Sequence, residues 1–428
     1  MASERHPIAV IGTGYVGLVT AAGFADLGSE VWCVDVDADK IARLLEGEIP
    51  IYEPGLAESV ARNRDRLHFG TDLAPALEHA QLLFVAVGTP PTYSGDADLS
   101  AVHAVVDSMP FSDHHALVMK STVPVGTGAS IKRIFVEHDK ADFAYVSCPE
   151  FLKEGSALED FLKPDRVVIG DDGNWAGDAV ADLYAPLEAP VVRTDVASAE
   201  MVKLAANAFL ATKISFINEI ANVCEETGAD VLEVARGMGL DRRIGHHFLK
   251  PGIGFGGSCF PKDVSALKQL AGNSGYHFQL LTAVIEVNEL QKRRVVGKLQ
   301  KHLGSLVGKK IALLGLAFKA NTDDMREASS LVLSARLQAD GAHVSAYDPI
   351  AEDEARKLMP GVDFADSALE ALSGADACIV VTEWPEFAEL DWSAVRGRMA
   401  GGLVVDGRNF ADRGAVTEAG FIYEGIGR

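Results

Sequence analysis

The fold is decided by a stretch near the N-terminus in which an apolar strand runs into the pattern G-x-G-x-x-G: Ile8-Ala9-Val10-Ile11-Gly12-Thr13-Gly14-Tyr15-Val16-Gly17. A helical pattern follows as far as Leu27, and a second apolar strand ends at Asp35. In such a unit the free N–H groups at the start of the helix bind a pyrophosphate. A carboxylate after the second strand fits the two ribose hydroxyls and disfavours a 2′-phosphate. The stretch therefore predicts a Rossmann-type dinucleotide site that prefers NAD to NADP.

The composition is typical of a large globular enzyme with an acidic surface. At 428 residues the chain exceeds what one hydrophobic core usually serves, so we expect two or three domains. The formal net charge of −22 argues against nucleic acid or an anionic membrane surface as a partner. No apolar run has the length of a membrane span, and the N-terminus shows no signal-peptide pattern. The cysteines at positions 33, 148, 224, 259 and 378 are scattered and form no C-x-x-C pair, which argues against a disulfide framework or a metal site and for a reducing cytoplasm.

Apolar strands alternate with helical segments as far as about residue 195, which predicts a parallel sheet covered on both faces. The predicted strands are 8–11, 30–34, 82–87, 116–120, 145–147 and 166–169. An uninterrupted helical pattern then spans 198–227, Gly228 supplies its C-terminal stop, and more helical sequence continues to about residue 303.

The first motif recurs in a weaker form in the last third of the chain. A strand ends at Gly315, a helix is predicted around 330–341, and further strands are predicted at 343–347, 377–381 and 403–405. Only Gly315 remains of the glycine pattern, so we expect a related α/β fold that holds no second dinucleotide. We therefore divide the chain into residues 1–197, 198–303 and 304–428.

A second decisive segment runs from Gly254 to Asp263 and places Cys259 in a glycine-rich turn, with a lysine and a carboxylate downstream. Glycines let the backbone approach a ligand closely. A thiolate is a strong nucleophile when positive charge stabilises it. The alternative is a buried, inert cysteine in a tight turn.

Together these motifs resemble one family, the nucleotide-sugar 6-dehydrogenases. The resemblance spans essentially the whole chain and rests on an ordered set: Gly12–Gly17, Asp35, Tyr52-Glu53-Pro54-Gly55-Leu56, Lys120-Ser121-Thr122-Val123-Pro124-Val125-Gly126, Pro149-Glu150-Phe151-Leu152, Lys203, Asn207, Gly254–Asp263, Phe318-Lys319 and Asp324-Met325-Arg326-Glu327. It implies an α/β fold of two Rossmann-like, doubly wound domains joined by a long central helix that also forms a homodimer interface. It further implies the oxidation of the C6 alcohol of UDP-glucose to the carboxylate, with two NAD per turnover.

That reaction accounts for the residue types. Cys259 would capture the aldehyde as a thiohemiacetal, whose oxidation gives a thioester that water cleaves. Lys203 and Asn207 are four residues apart on the predicted helix, so both would project from one face toward a developing oxyanion. By resemblance, Glu150 is the base for hydrolysis, Asp263 orients water and Lys203, and Thr122 lies near the reacting carbon, although sequence alone does not rank the two carboxylates. Glu154, one helical turn beyond Glu150, matches a second acid of the family.

The resemblance also implies the binding residues. Beyond the glycine turn and Asp35, those implied for the cofactor are Lys40, Thr89, Thr122, Glu154, Lys262 and Arg326. Those implied for the substrate are Glu150, Phe151, Leu152, Lys153, Glu154, Lys203, Asn207, Arg243, Phe248, Leu249, Lys250, Gly256, Phe318, Lys319 and Arg408. Arg243 would reach the active site of the partner subunit, and basic residues are expected because the diphosphate is anionic.

Four other functions are alternatives. GDP-mannose oxidation is the nearest, but Phe260 and the glycine run from Gly252 favour the UDP-glucose branch. Oxidation of N-acetylated sugars is disfavoured by Phe151-Leu152. A single-step hydroxy-acid dehydrogenase would not need Cys259. A non-catalytic nucleotide-sugar-binding protein would not need Cys259, Lys203, Asn207 and Asp263 together.

Overall fold

The computed structural model describes residues 6–109, 114–139 and 143–428. The chain divides into two compact units. Unit 1 comprises residues 1–206 and 269–275, and unit 2 comprises residues 207–268 and 276–428.

Unit 1 is built on a sheet whose strands alternate with helices. In chain order its elements are β1 Ile8–Ile11, α1 Tyr15–Asp26, β2 Val31–Val34, α2 Ala38–Glu46, α3 Leu56–Arg62, β3 Leu67–Gly70, α4 Ala74–His79, β4 Leu82–Val85, α5 Ser100–Asp107, β5 Ala116–Met119, α6 Thr127–Glu137, β6 Ala144–Ser147, α7 Ala157–Leu162, β7 Val167–Gly170, α8 Trp175–Tyr184 and β8 Val191–Thr194, with 3-10 turns at Arg64–Arg66 and Ala185–Leu187. The strand order is β3-β2-β1-β4-β5-β6-β7-β8. Its first six strands have the Rossmann arrangement, and the six strands predicted from sequence are all present.

The prediction of a wholly parallel sheet is wrong at one place. Strand β7 runs antiparallel to β6, with Ser147 opposite Gly170, and β8 then pairs parallel with β7. The apolar run of β7 is buried along its whole length. A strand buried on both faces has the same hydrophobic pattern in either direction, so the sequence does not give its direction. The short strands β3 and β8 were not predicted, and β8 is largely exposed at the sheet edge.

Alternate residues of the central strands supply two cores, one on each face of the sheet. Ile8 and Val10 of β1 belong to one cluster with Phe24 of α1. Ala9 and Ile11 belong to the other cluster. The sheet is thus covered on both faces, and its parallel strands β1 to β6 place their following loops at the carboxyl edge, where open α/β sheets bind ligands.

The long helix predicted from the sequence is confirmed as α9, Val196–Thr227. Gly228 ends it with φ +77°, and its N–H donates to the carbonyl of Cys224 at 2.9 Å. A left-handed residue at this position is the common way to end a helix. The change from unit 1 to unit 2 falls within α9, after residue 206.

Unit 2 carries a second sheet. Its elements after α9 are α10 Val231–Gly239, α11 Phe260–Asn273 (shared with unit 1), α12 Gln279–Leu303, β9 Lys310–Leu314, α13 Ser329–Ala339, β10 His343–Tyr347, α14 Glu352–Leu358, β11 Asp363–Phe364, α15 Ala368–Leu372, β12 Ala377–Val380, α16 Pro385–Ala388, α17 Trp392–Arg396, β13 Leu403–Asp406, α18 Arg413–Glu418 and β14 Ile422–Glu424. The strand order β11-β10-β9-β12-β13-β14 repeats the Rossmann order with every pair parallel. The two-sheet α/β fold is thus confirmed, while the short strands β11 and β14 were not predicted. In the described residues, no helix combines the length and apolar character needed to cross a membrane.

Candidate active site

The glycine turn of unit 1 has the geometry of a pyrophosphate site. Gly12 has φ +96°, and a Cβ there would lie 2.8 Å from the carbonyl oxygen of Ala86. A Cβ on Gly17 would lie 1.8 Å from the carbonyl oxygen of Gly12, so the helix can pack this closely only at a glycine. Gly14 instead faces open space and caps α1 without a side-chain hydrogen bond. The first N–H groups of α1 are therefore available to an anion, which fits the dinucleotide.

Asp35 lies directly after β2 and is nearly buried. It accepts hydrogen bonds from the N–H and hydroxyl of Thr13, at 2.7 and 2.8 Å, and from Lys40 Nζ at 3.0 Å. The N–H of Asp37 adds a fourth at 3.0 Å. Burial acts to raise the pKa of Asp35, but these four donors hold it below its ordinary value. The carboxylate is thus charged and oriented at the carboxyl edge of the sheet, as a ribose acceptor must be.

The loops after β4 and β5 are tied to each other. Thr89 Oγ1 donates to the carbonyl of Thr122 at 2.8 Å, and Ser121 Oγ donates to the carbonyl of Val87 at 2.7 Å. Because these loops follow adjacent parallel strands, they meet at the edge that also carries the glycine turn. The structure therefore brings Thr89 and Thr122 together, as their implied roles require.

Glu150 and Lys203 form a buried ion pair. Lys203 Nζ donates to Glu150 Oε1 at 2.9 Å, and the two side chains are 4% and 5% exposed. The N–H of Leu152 donates to Glu150 Oε2 at 2.5 Å. Burial acts to raise the pKa of Glu150, but the charge and hydrogen bond of Lys203, the N–H of Leu152 and the charge of Lys120 together lower it. Glu150 is therefore ionised at neutral pH and able to accept a proton.

Glu154 is not one helical turn beyond Glu150, because residues 148–156 form irregular backbone and a turn instead of a helix. Gly155 has φ +80°, and its N–H bonds to Glu53 Oε2 at 2.6 Å. Glu53 also accepts the N–H of Ala157 at 2.7 Å and the hydroxyl of Tyr15. Glu53 therefore joins the glycine turn to this segment, a role that the sequence did not indicate.

The segment before Cys259 is a rigid glycine loop in unit 2. Gly254 and Gly257 have φ +89° and +83°. The N–H and carbonyl of Phe255 both bond to the buried side chain of Asn288, at 2.8 and 3.0 Å. A Cβ on Gly256 would lie 2.3 Å from the carbonyl oxygen of Glu327, so only glycine fits. These hydrogen bonds and close approaches restrict the conformation of the loop.

Cys259 itself is half-buried and precedes the first residue of α11. Its carbonyl accepts the first helical hydrogen bond, from the N–H of Asp263 at 2.8 Å. Its sulfur lies 3.5 Å from Ser258 Oγ. A negative charge at a helix N-terminus is favoured by the helix dipole, which suits a thiolate.

Asp263, in the first turn of α11, is 1% exposed and holds two neighbours. Asn207 Nδ2 donates to its Oδ2 at 2.6 Å, and Lys262 Nζ donates to its Oδ1 at 2.7 Å. Asn207 is buried. Three implied site residues, from α9 and α11, thus share one hydrogen-bonded cluster, with the amide of Asn207 fixed by a carboxylate.

A further group packs against the glycine loop within unit 2. Arg408 donates to the carbonyls of Val381 at 2.8 Å, Gly254 at 3.0 Å and Phe318 at 3.4 Å. A Cβ on Gly257 would lie 2.8 Å from the ring of Phe318. Arg408 therefore braces the loop through its backbone. Lys319 Nζ lies 5.3 Å over the ring of Phe318.

Of the remaining implied ligand residues, four have exposed side chains: Lys153, Arg243, Lys250 and Arg326. Arg243 pairs with Asp241 at 2.6 Å and is 88% exposed, and Arg326 pairs with Asp324 and is 63% exposed. Phe248 has φ +62°, which is unusual for a residue with a side chain, and its ring centroid lies 6.0 Å from that of Phe260. Leu249 is buried and Lys250 is exposed. Lys153 is exposed and pairs with Asp160.

Three segments of the chain match the profiles of one family. Residues 6–188 match the NAD binding domain of the UDP-glucose/GDP-mannose dehydrogenase family, residues 197–290 its central domain and residues 312–413 its UDP binding domain. The chain belongs to the UDP-glucose/GDP-mannose dehydrogenase family. The resemblance inferred from sequence is thereby confirmed, and NAD is the cofactor of its first domain.

Named members of this dehydrogenase family match along nearly the whole chain. UDP-glucose 6-dehydrogenase TuaD of Bacillus subtilis (strain 168) is 48% identical over 428 residues, which cover 98% of this chain and 93% of the relative. UDP-glucose 6-dehydrogenase of Pseudomonas aeruginosa is 47% identical over 441 residues, which cover 98% and 97%. A solved UDP-glucose dehydrogenase from Pyrobaculum islandicum superposes with a TM-score of 0.90 at 38% identity, covering 100% of this chain and 98% of that one.

Within the described ranges, no cluster of three or more His, Cys, Asp or Glu side chains is placed to hold a metal ion. The polar chemistry of these dehydrogenase motifs lies instead in carboxylate–cation and carboxylate–amide pairs. Thr13, which holds Asp35, was missed from the sequence because it occupies a variable position of G-x-G-x-x-G. The available signal was a hydroxyl residue inside the glycine turn, in a chain whose second strand is followed by an acid.

Proposed function

We propose that the protein oxidises the C6 alcohol of UDP-glucose to the carboxylate and releases UDP-glucuronate. The observation that carries the proposal is Cys259 at the start of α11 behind a rigid glycine loop, in a chain of the UDP-glucose/GDP-mannose dehydrogenase family. The relatives named as UDP-glucose 6-dehydrogenases support the choice of sugar. The glycine turn and Asp35 would hold NAD, which when bound would supply the hydride acceptor for both oxidations.

Cys259 retains the intermediate between those steps. The first oxidation converts the C6 alcohol to an aldehyde, and the thiol adds to that carbonyl to form a thiohemiacetal. Loss of a second hydride and of the hydroxyl proton gives a thioester. Water then adds to the thioester, the C–S bond breaks and the thiol is regenerated. The helix N-terminus at Cys259 favours the thiolate both as attacking and as leaving group.

Two buried pairs supply the remaining chemistry. Glu150, held ionised beside Lys203, acts as the base that takes a proton from the attacking water. Lys203 and the amide of Asn207 stabilise the negative oxygen that develops at C6. Asp263 holds Asn207 in place and orients water, and Thr122 contacts the reacting region.

The other implied residues are proposed as binding groups. For the cofactor these are Lys40, Thr89, Glu154, Lys262 and Arg326. For the nucleotide sugar they are Phe151, Leu152, Lys153, Arg243, Phe248, Leu249, Lys250, Gly256, Phe318, Lys319 and Arg408. Arg408 already braces the backbone of Gly254, so we expect its loss to weaken substrate binding and to loosen the glycine loop.

A comparison of substrates tests the proposal. NAD reduction is followed with UDP-glucose, GDP-mannose and UDP-N-acetylglucosamine at matched concentrations, and kcat/KM is compared. We expect UDP-glucose to exceed each rival by at least about 100-fold, because a misplaced ring substituent or base leaves buried polar groups unpaired. A higher kcat/KM for GDP-mannose or UDP-N-acetylglucosamine would contradict the proposal and identify that nucleotide sugar as the preferred substrate.

The thiol is tested by Cys259→Ser. We expect this variant to bind NAD and UDP-glucose normally and to stall before hydrolysis, with steady-state turnover reduced by about 1,000-fold or more. Cys224→Ser, which alters a buried thiol in α9, is the matched control and should retain turnover. Full turnover by Cys259→Ser would exclude the thioester route.

We further propose that the protein is a homodimer that pairs through α9. Phe209, Phe216 and Val223 recur every seven residues on this helix and are 65%, 48% and 57% exposed. An exposed apolar stripe of this kind is typical of an interface. Phe216→Glu should yield monomers in sedimentation, whereas Val307→Glu, at an even more exposed apolar site outside α9, should not.

Sharing of sites across the dimer has its own test. Inactive Arg243 and Cys259 variants, mixed under conditions that exchange subunits, should regain part of the activity if Arg243 serves its partner. No recovery would place the action of Arg243 within its own subunit or outside any site. We place the dimer in the cytoplasm, which the free state of all five cysteines supports.

A further inference from the structure

Arg166 stands where the reversed strand β7 begins, and that reversal brings it to the proposed substrate segment. Strands β6 and β7 are antiparallel, with Ser147 opposite Gly170. Continued for four more residues, the same register sets Phe151 opposite Arg166. Had β7 run parallel to β6, its first residue would lie at the opposite edge of the sheet. The antiparallel pairing of β6 with β7 therefore delivers an arginine to the segment after Glu150.

The side chain of Arg166 stacks on the ring of Phe151. Its guanidinium carbon lies 3.6 Å from the ring centroid, which is direct contact between two planar groups. Lys203 Nζ lies over the same ring at 5.5 Å. Two cations of unit 1 thus converge on the residue next to Glu150.

The guanidinium of Arg166 has no oxygen partner among the residues that the structure describes. Arg166 is half-buried, and among those residues no hydrogen bond or ion pair joins its guanidinium to an oxygen. Arg193 of β8 provides a contrast, because it bonds to Asp171 at 2.7 Å and to Asp178 at 2.9 Å. A guanidinium that stacks by its face keeps the N–H groups at its edge free for an anion. The contact with Phe151 thus orients the guanidinium of Arg166 and leaves its N–H donors available for hydrogen bonds.

We propose that Arg166 binds an anionic oxygen of the nucleotide sugar. This inference rests on the proposed function, in which Phe151, Leu152 and Lys153 contact the substrate. Two such oxygens exist in the reaction: those of the diphosphate, present in substrate and product, and those of the carboxylate formed at C6. Planar, charge-assisted hydrogen bonds of a guanidinium suit both groups.

The test is calorimetric titration of UDP-glucose, UDP and UDP-glucuronate into the full chain and into Arg166→Met, which keeps most of the side-chain length. We expect affinity to fall by about 10- to 100-fold for the ligands that Arg166 contacts. Equal losses for all three would assign Arg166 to the diphosphate. A loss for UDP-glucuronate alone would assign it to the C6 carboxylate. Unchanged affinity for all three would overturn the inference.

A purely structural role for Arg166 is separated by salt and by further variants. If Arg166 binds an anion, the affinity of the unaltered protein should fall more steeply with ionic strength than that of Arg166→Met. Arg166→Lys, which keeps the charge and loses the planar fork, should recover part of the affinity. If Phe151→Leu and Arg166→Met caused equal losses with unchanged salt dependence, Arg166 would act only as a support for the ring, and the inference would fail.

Arg43→Met is the matched control, since Arg43 forms a surface pair with Glu48 in the same unit and should not affect binding. Failure of the proposed function would be recognised separately. If the unaltered protein does not reduce NAD with UDP-glucose, the function is wrong. If it does so and Arg166→Met binds all three ligands normally, only the role of Arg166 is wrong.

Discussion

The two sheets of this molecule begin with the same turn and put it to different uses. Gly12 after β1 and Gly315 after β9 have φ +96° and +88°. A Cβ on Gly12 would lie 2.8 Å from the carbonyl oxygen of Ala86, and one on Gly315 would lie 2.4 Å from Cβ of Thr382. Each first strand thus leaves its sheet through a glycine packed against the chain just after the neighbouring strand, β4 or β12.

The two turns differ in the residues that come after that glycine. In unit 1, α1 begins at Tyr15, three residues after Gly12, and Gly14 before it faces open space. In unit 2, α13 begins only at Ser329, fourteen residues after Gly315, and Ala317 is 1% exposed. The second turn therefore has neither an open backbone nor a helix N-terminus to hold a pyrophosphate.

The acid that follows the second strand of each sheet is held by a different kind of hydrogen-bond donor in the two units. Asp35 is bound partly by two side chains, Thr13 and Lys40, and the latter is 28% exposed. Asp348, after β10, is 2% exposed, and its oxygens accept hydrogen bonds from fixed donors. These donors are the N–H groups of Leu316, Ala317, Ile350 and Ala351 and the indole of Trp384, at 2.6–3.1 Å. Asp35 is thus held partly by mobile side chains, as a ligand-binding acid would need, whereas Asp348 is held by fixed donors of the fold.

The largest expected effect is that of Gly14→Val. A Cβ at position 14 would meet no atom of the protein within 4 Å, so the fold and the melting temperature should be retained. It would occupy the path of the pyrophosphate, and NAD affinity should fall by at least about 100-fold. Calorimetric titration with NAD and a thermal melt measure the two effects. Gly297→Val in α12, which also meets open space, is the control and should leave NAD affinity unchanged.

The next effect is that of Asp35→Ser on cofactor choice. We expect NAD affinity to fall by about 10- to 30-fold, because two ribose hydroxyls lose their acceptor. NADP use should rise relative to NAD, because Lys40 is released from its 3.0 Å pair and can meet a 2′-phosphate. Steady-state kinetics with both cofactors measure the ratio. The double variant with Lys40→Met should lose the gain in NADP use, and an unchanged ratio in Asp35→Ser would refute this assignment of Asp35.

Asp348→Asn should show the opposite division. One carboxylate oxygen becomes an amide NH2, which cannot accept from the donors that face it, so the free energy of unfolding should fall by about 2–3 kcal/mol. NAD affinity should not change, because this acid serves only the fold. Urea unfolding followed by circular dichroism, together with NAD titration, checks both. Weakened NAD binding at unchanged stability would contradict the division between the two acids.

The smallest effect is a pH dependence of stability with opposite sign in the two units. The pKa of Asp35 is lowered in the folded chain, so its contribution is present above the unfolded value of about 4 and is lost as the pH falls through the folded value. Burial raises the pKa of Asp406, at the end of β13, despite hydrogen bonds from the N–H groups of Arg408, Ala411 and Phe410 and the hydroxyl of Tyr423. Folding therefore disfavours its charge, and stability is lost as the pH rises from about 4 through the raised pKa.

The difference in stability between Asp35→Asn and the unaltered protein should therefore shrink as the pH falls below about 4. The stability of Asp406→Asn relative to the unaltered protein should instead rise as the pH rises from about 4. Urea unfolding at a series of pH values measures both trends. Parallel trends in the two variants would contradict the assigned directions.

Much of the fold could be predicted from patterns that are local in sequence. The glycine turn, Asp35, helix α9 and the longer strands of both sheets depend on residues a few positions apart, and all were predicted. The direction of β7 was not predicted, because a strand buried on both faces has the same hydrophobic pattern in either direction. The helix drawn through Glu154 failed because Gly155, with φ +80°, and Glu53 hold those N–H groups outside a helix.

Prediction of the candidate site depended in the same way on how close its residues lie in the sequence. Cys259 and its glycines were visible as a contiguous motif, and the pair Asn207 and Asp263 is consistent with the resemblance. The contacts of Thr13, Glu53 and Arg166 were not predicted, because each is made with a partner 15 to 104 residues away in the chain. Only the folded chain places them beside their partners.

The proposed reaction removes four electrons from UDP-glucose, and its most direct test is the yield of NADH from a limiting amount of that sugar with NAD in excess. We expect two NADH for each UDP-glucose consumed, with UDP-glucuronate as the product. One NADH for each sugar would contradict it, since the thiol would then not carry the aldehyde into the second oxidation.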